Sequence, residues 1–190
     1  IDFSIFSIYR RLGQTTDMYN PQIENIEKSI DTITGGERWK TEDFVYRDEA
    51  EVSWWQNERL LCFTLSYVSY TGGAHPSTWR QAVSFDLSTG KTVSVTDLAT
   101  DINQLEEAVY QLILRQIQDS GDTSYFSDYD KTVLDWIERS VFYNADGVTI
   151  VFNTYDIAPY SAGEQTFFIP YDLVKPYLND YGLHLLELDT

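Results

Sequence analysis

The chain has 190 residues, 43% hydrophobic and 23% charged, a globular balance that excludes wholesale disorder. Thirteen basic residues against 30 acidic ones leave a net charge of −17. A surface of that sign repels phosphate backbones and anionic lipid heads, so neither nucleic acid nor a membrane surface is an expected partner. No stretch approaches the ~20 apolar residues that cross a bilayer, so no membrane span is expected in this chain.

In chain order, residues 1–19 hold Phe3, Ile5, Phe6, Ile8 and Tyr9 and read as a short strand or helix. No basic-then-apolar signal region opens the chain, so an anchor or export signal is expected upstream of Ile1. Asn20 and Pro21 open a helix, because Asn caps well and Pro at the first position gives up an N–H that has no partner there. Ile23, Ile26, Ile30 and Ile33 follow at helical spacing, and Gly35-Gly36 supply the stop.

From Thr41 the period changes to two. Phe44 and Tyr46 alternate with polar residues, and Val52-Ser-Trp-Trp55 leads to a turn at Gln56-Asn57-Glu58. Leu61, Phe63, Leu65 and Tyr67 then share one face of a long strand. The lone cysteine, Cys62, sits in that strand and reads as a buried small hydrophobe. Gln81–Leu87 is a further strand, turning at Ser88-Thr89-Gly90 into a strand over Thr92–Val95.

A helix capped by Asp101 or Asn103 carries the stripe Leu105, Val109, Leu112, Ile113 and Ile117 and ends near Gly121. Val133, Leu134 and Ile137 mark a short helix. Val141–Asn144 and Val148–Phe152 form a hairpin around Asp146-Gly147. Phe167–Ile169 is a strand, Pro170 begins a short helix, and Leu183–Leu188 reads as a closing strand. Helices and antiparallel strands fall in separate runs, which predicts an α+β fold: an antiparallel β-sheet with helices packed on one face. The expected organisation is a helix-plus-strand part over residues 1–58 and a larger domain over 59–190.

Two segments are candidates for chemistry. In Tyr70-Thr-Gly-Gly-Ala-His-Pro76, Gly72 and Gly73 permit a sharp turn, and Pro76 pushes His75 towards extended geometry. His75 is therefore held on a stiff loop, to lock it through backbone carbonyls, to meet a ligand, or to act as an acid–base group. In Asn153–Gly163 the chain leaves one strand and enters another through Pro159, Tyr160 and Gly163. Tyr155 and Tyr160 there either brace the loop or contact a ligand. Trp54 and Trp55 are strand neighbours and point to opposite faces, and an exposed Trp54, Trp55 or Trp79 would suit a sugar or a protein interface.

No metal or cofactor is expected: His75 and His184 lie far apart, and no metal-ligand spacing, nucleophile elbow, phosphate loop or dinucleotide fingerprint occurs. Thirty acids make a carboxylate pair impossible to pick out.

The run Thr71-Gly-Gly-Ala-His-Pro76, with Ala82–Lys91 and Val95–Leu98, and then Val151–Gly163 continuing through Phe168-Ile-Pro-Tyr171, resembles a bacterial extracytoplasmic domain of unknown function. That domain lies at the C-terminal end of RsiV-type anti-sigma factors, and related domains occur in PdaC-type peptidoglycan deacetylases. The resemblance implies a tethered domain at the cell surface or in the periplasm, without catalytic activity of its own. In RsiV-type members such a domain recognises lysozyme. The leading expectation is therefore a non-catalytic binding or sensor domain for a basic, lysozyme-like protein, with His75, Trp79, Tyr155 and Tyr160 as candidate contacts. The alternatives are a module binding cell-wall glycan (peptidoglycan) and a hydrolase built on His75 or carboxylates.

Overall fold

The computed structural model describes residues 47–189. The chain divides into two compact units, Ile1–Val45 and Tyr46–Thr190. The first unit lies outside the described residues, and with it the expectations for residues 1–19, the helix after Asn20 and the strand residues Phe44 and Tyr46.

The second unit is α+β, as its pattern predicts, with its strands divided between two antiparallel sheets. In the first, β1 (Arg47–Gln56), β2 (Leu60–Tyr70), β3 (Ser77–Asp86) and β4 (Thr92–Val93) form a meander in chain order. The second holds β5 (Ser140–Tyr143), β6 (Gly147–Phe152) and β7 (Gln165–Pro170), again in chain order. Between them run α1 (Val95–Leu98), α2 (Ile102–Ser120) and α3 (Tyr129–Leu134), and α4 (Tyr171–Val174) and α5 (Asp180–Leu185) follow.

Antiparallel pairing fixes which side chains share a face. Trp54 stands opposite Phe63 and Phe63 opposite Val83, while Tyr67 stands opposite Trp79. Leu61, Phe63, Leu65 and Tyr67 do lie on one face, but the described core takes the other: Leu60 and Cys62 are buried there with Ser84, Asp86 and Val93. Trp54 and Trp55 divide as alternation requires, Trp54 being 65% exposed while Trp55 packs against the core.

Helix α2 follows its sequence signals at both ends. The Asp101 carboxylate accepts from the backbone N–H of Asn103 and Gln104, and Gly121 ends the helix at φ 67°. Its buried stripe is Leu105, Val109, Ile113 and Ile117, each contributing roughly 1.5–3 kcal/mol of apolar burial. Trp136, fully inside, donates its indole N–H to the Glu106 carbonyl and ties the following 3-10 turn to this helix. In the second sheet β6 is buried on both faces, with Ile150, Val151 and Phe152 inaccessible.

Three readings are corrected. Thr92–Val95 is a strand only to Val93, because the Ser94 N–H bonds the Asp97 carboxylate and starts α1. Leu183–Leu188 is not a strand: Asn179 caps the Gly182 N–H and sets the helix α5, which buries Leu185 beside Leu186. The β5–β6 hairpin exists, but its glycine has another purpose. Neither Ala145, Asp146 nor Gly147 has positive φ; a Cβ at Gly147 would lie 2.3 Å from the Ile169 carbonyl oxygen of β7.

Candidate functional site

Strand β4 is only two residues long, pairing at Ser84 and Phe85, so among the described residues no strand pairs with the outer edge of β3 from Ser77 to Val83. An open edge is a template for unwanted pairing. Side chains from the second sheet close it. The Asn153 side chain accepts from the Arg80 N–H at 2.6 Å and donates to the Arg80 carbonyl at 3.3 Å, copying the two bonds a neighbouring strand would make. Ser140 donates to the same carbonyl at 2.8 Å, and Thr154 to the Thr78 carbonyl at 3.2 Å.

The loop that follows is set by the same residues. The Asn153 N–H donates to the Asp156 carboxylate at 2.8 Å and the Asp156 N–H to the Asn153 carbonyl at 3.0 Å, closing a tight turn. Tyr155 occupies that turn with φ 71°, a left-handed conformation that is strained for a residue with a side chain, and the residue is 56% exposed. Pro159 leads into a 3-10 turn over Tyr160–Ala162, and Gly163 at φ 72° reverses the chain into β7.

The two corners singled out in the sequence meet in space. The His75 ring stacks on Tyr160 with centroids 3.6 Å apart and 14° between planes, and Tyr155 lies 6.0–6.1 Å from both. His75 Nδ1 is 3.0 Å from the Pro76 carbonyl oxygen and Nε2 is 3.0 Å from the Tyr155 hydroxyl. A carbonyl only accepts, so Nδ1 carries the proton, and in the neutral ring Nε2 accepts from the Tyr155 O–H. Gly72 and Gly73, at φ 87° and 123°, bend the chain so that His75 can reach across. His75 therefore locks the corner through a backbone carbonyl, and both ring nitrogens are engaged by uncharged partners.

Beside this corner lies an open cleft of about 490 Å³ between the β2–β3 hairpin and the Tyr160–Glu164 loop. Ser66, Thr78, Thr154 and Ser161 line it, and Tyr160 forms part of its wall. Arg80 and Glu164 meet there at 2.8 Å, each about a third exposed. Trp79 borders the cleft, but alternation along β3 sets its ring on the opposite sheet face from Arg80, 5.2 Å from Tyr67. Of the four candidate contacts, then, the structure gathers His75, Tyr155 and Tyr160 and leaves the Trp79 ring apart.

Asn153, Arg80 and Glu164 went unrecognised as site residues from sequence. Their partners stand 73 or more positions away, beyond any local pattern. Among the described residues no group of three or more His, Cys, Asp or Glu side chains converges as metal ligands would, and no helix is long and apolar enough to cross a membrane.

The α+β fold with two antiparallel sheets has known counterparts. Residues 95–172 match the family described as "Protein of unknown function (DUF3298)". The fold is similar to that of a DUF3298 family member from Bacteroides fragilis, with TM-score 0.73 and 19% identity over 95% of this chain and 74% of that one. It is also similar to a DUF3298 family protein from Pseudomonas aeruginosa, with TM-score 0.53 and 24% identity over 84% and 80% of the two chains. No curated protein matches.

Proposed function

We propose that this chain is a non-catalytic recognition domain, held outside the cytoplasm by a segment upstream of it, and that its ligand is a strongly basic protein of the lysozyme kind. The observation that carries the reading is Tyr155. A half-exposed aromatic ring is kept in a strained left-handed turn and pinned by His75, an arrangement that stability alone does not call for. Rigid, amphipathic tyrosines make interface anchors because little side-chain entropy is lost on binding. A cationic side chain packed over such a ring gains cation–π attraction, and the net charge of −17 steers a basic partner in. The likeness to extracytoplasmic domains of RsiV-type anti-sigma factors supports the placement and the partner class.

Hydrolysis through His75 is the weaker reading. Its nitrogens face Pro76 and Tyr155 rather than a carboxylate, and the cleft's Glu164 is paired with Arg80.

Calorimetric titration with hen lysozyme tests the proposal. Saturable heat is expected at low ionic strength, with affinity falling as salt rises and weakening about tenfold in Tyr155→Ala. Absence of heat at low salt, or a Tyr155→Ala affinity equal to that of the parent, would overturn it.

A further inference from the structure

The meander has a second edge, and it is not closed as β3 is. Among the described residues no strand pairs with the outer edge of β1. That strand is 10 residues long, pairs one-to-one with β2 and holds no proline, so it lacks the shortness, bulge and proline that commonly blunt an edge. Antiparallel bonding alternates along a strand, and the hairpin sets its phase here: the Asn57 N–H donates to the Leu60 carbonyl at 3.1 Å. Trp55, Ser53, Glu51 and Glu49 therefore bond to β2, and the main-chain groups of Gln56, Trp54, Val52, Ala50 and Asp48 point away from it. The same alternation carried over β2 turns Arg80 and Thr78 outward on β3, where Asn153, Ser140 and Thr154 meet them.

The chemistry of β1 is lopsided. Its first half carries Arg47, Asp48, Glu49 and Glu51, while Val52-Ser-Trp-Trp-Gln56 carries no charge. Two copies of β1 run antiparallel about a two-fold axis at Val52 set the charged half of each against the neutral half of the other. Trp54, 65% exposed, then lies beside the partner's Ala50, a large ring against a methyl, and the Asp48 carboxylate faces the partner's Gln56 amide. On the other face Glu49 meets the partner's Trp55, and Glu51 the partner's Ser53. Every outward main-chain group from Asp48 to Gln56 gains a bond in this register. Centring the pair on Ala50 or Glu51 sets glutamate against glutamate, and shifting it towards Trp54 leaves the outward groups of Asp48 unpaired. Glu49, Glu51 and Ser53 turn to the core side of the sheet and are exposed there, which leaves room for a strand alongside.

We infer that the outer edge of β1 is a self-association site, joining two copies of this chain through an antiparallel β1–β1 pair centred on Val52. Such a contact is isologous and closes on itself, so it ends at a dimer. The like charge that remains, −17 on each copy, opposes it, and the dimer therefore tightens as salt rises. This edge lies across the sheet from β3 and the Tyr155 corner and does not depend on the basic-protein reading.

Sedimentation of the full chain over a concentration series is the test. A monomer–dimer equilibrium is expected, tighter at high salt, the reverse of the response expected for lysozyme binding. Val52→Lys sets two ammonium groups face to face on the axis without removing a bond to β2, and is expected to weaken the dimer about tenfold. Cross-linking reads the register whether or not that variant folds. Across the axis the Val52 Cα atoms lie about 5.5 Å apart, within disulfide reach, so Val52→Cys is expected to give a covalent dimer on mild oxidation and Gln56→Cys is not. The native Cys62 is buried and stays out of the reaction. A chain monomeric at every concentration and salt, which leaves the edge to a peptide of another protein, would overturn the inference. So would a Val52→Lys dimer as tight as the parent's, or cross-linking through Gln56→Cys and not through Val52→Cys.

Discussion

Asn153 does at one position what a strand does over several. Its amide closes both main-chain groups of Arg80, so the first sheet ends against a side chain of the second. Asn153→Ala leaves the Arg80 N–H without that acceptor, while Ser140 still serves the carbonyl. A loss of about 1–3 kcal/mol is expected in urea denaturation. Asn153→Asp keeps the acceptor and loses only the donor, so it should retain most of the stability. A cost equal in the two variants would show that the N–H bond is not the important one. The aromatic corner was half legible at this scale. The glycines and Pro76 marked a stiff loop around His75, and Pro159, Tyr160 and Gly163 marked another. Nothing local could show that the two loops stack on each other, nor that Trp79 faces away from them, because both facts depend on pairing across strands.

Elements with strong end signals are legible in the sequence, and those without are not. Helix α2 has an aspartate at one end, a left-handed glycine at the other and four apolar residues at four-residue spacing between. Asp101→Ala is expected to destabilise the domain by about 1 kcal/mol, with Asp101→Asn close to neutral, measurable as a shift in the urea midpoint. Helix α5 shows the opposite case. It ends where Glu187 takes φ 57°, with no glycine to announce the stop, and its leucines fit a strand as readily as a helix. Close packing decides it: a Cβ at Gly182 would lie 2.5 Å from the Leu98 carbonyl oxygen, a constraint invisible before α1 and α5 are side by side. The division of the strands into two sheets was likewise illegible, since hydrophobic period marks a strand but not its neighbours.

Across the molecule, charge sets the response to solvent. At neutral pH the net charge of −17 works against compactness, so added salt should raise the thermal midpoint. Acid acts through particular carboxylates. Buried Asp86 accepts from the Ser88 hydroxyl and N–H, Tyr181 and Thr89, and the Ser88 hydroxyl above all holds its pKa far below the usual range against the opposing effect of burial. Asp97 is lowered by its bonds from Ser94, the hydroxyl first. A depressed folded-state pKa stabilises above the unfolded value and is lost as pH falls towards the folded one. Stability should therefore decline below about pH 4, where unfolded aspartates begin to take up protons. Asp86→Asn should lower stability at pH 7 and flatten that acid limb in urea melts from pH 7 to 2.5. An unchanged slope would assign the acid response to other groups.

The closure of β3 by Asn153, Ser140 and Thr154 also governs how the cleft can move. Both of its walls are anchored to the same short stretch of chain, one as strand and the other as the loop rooted beside Asn153. Hairpin and loop cannot swing apart like jaws without first breaking that seam. The cleft therefore keeps its shape whether empty or filled, and any molecule that enters has to fit it as it stands.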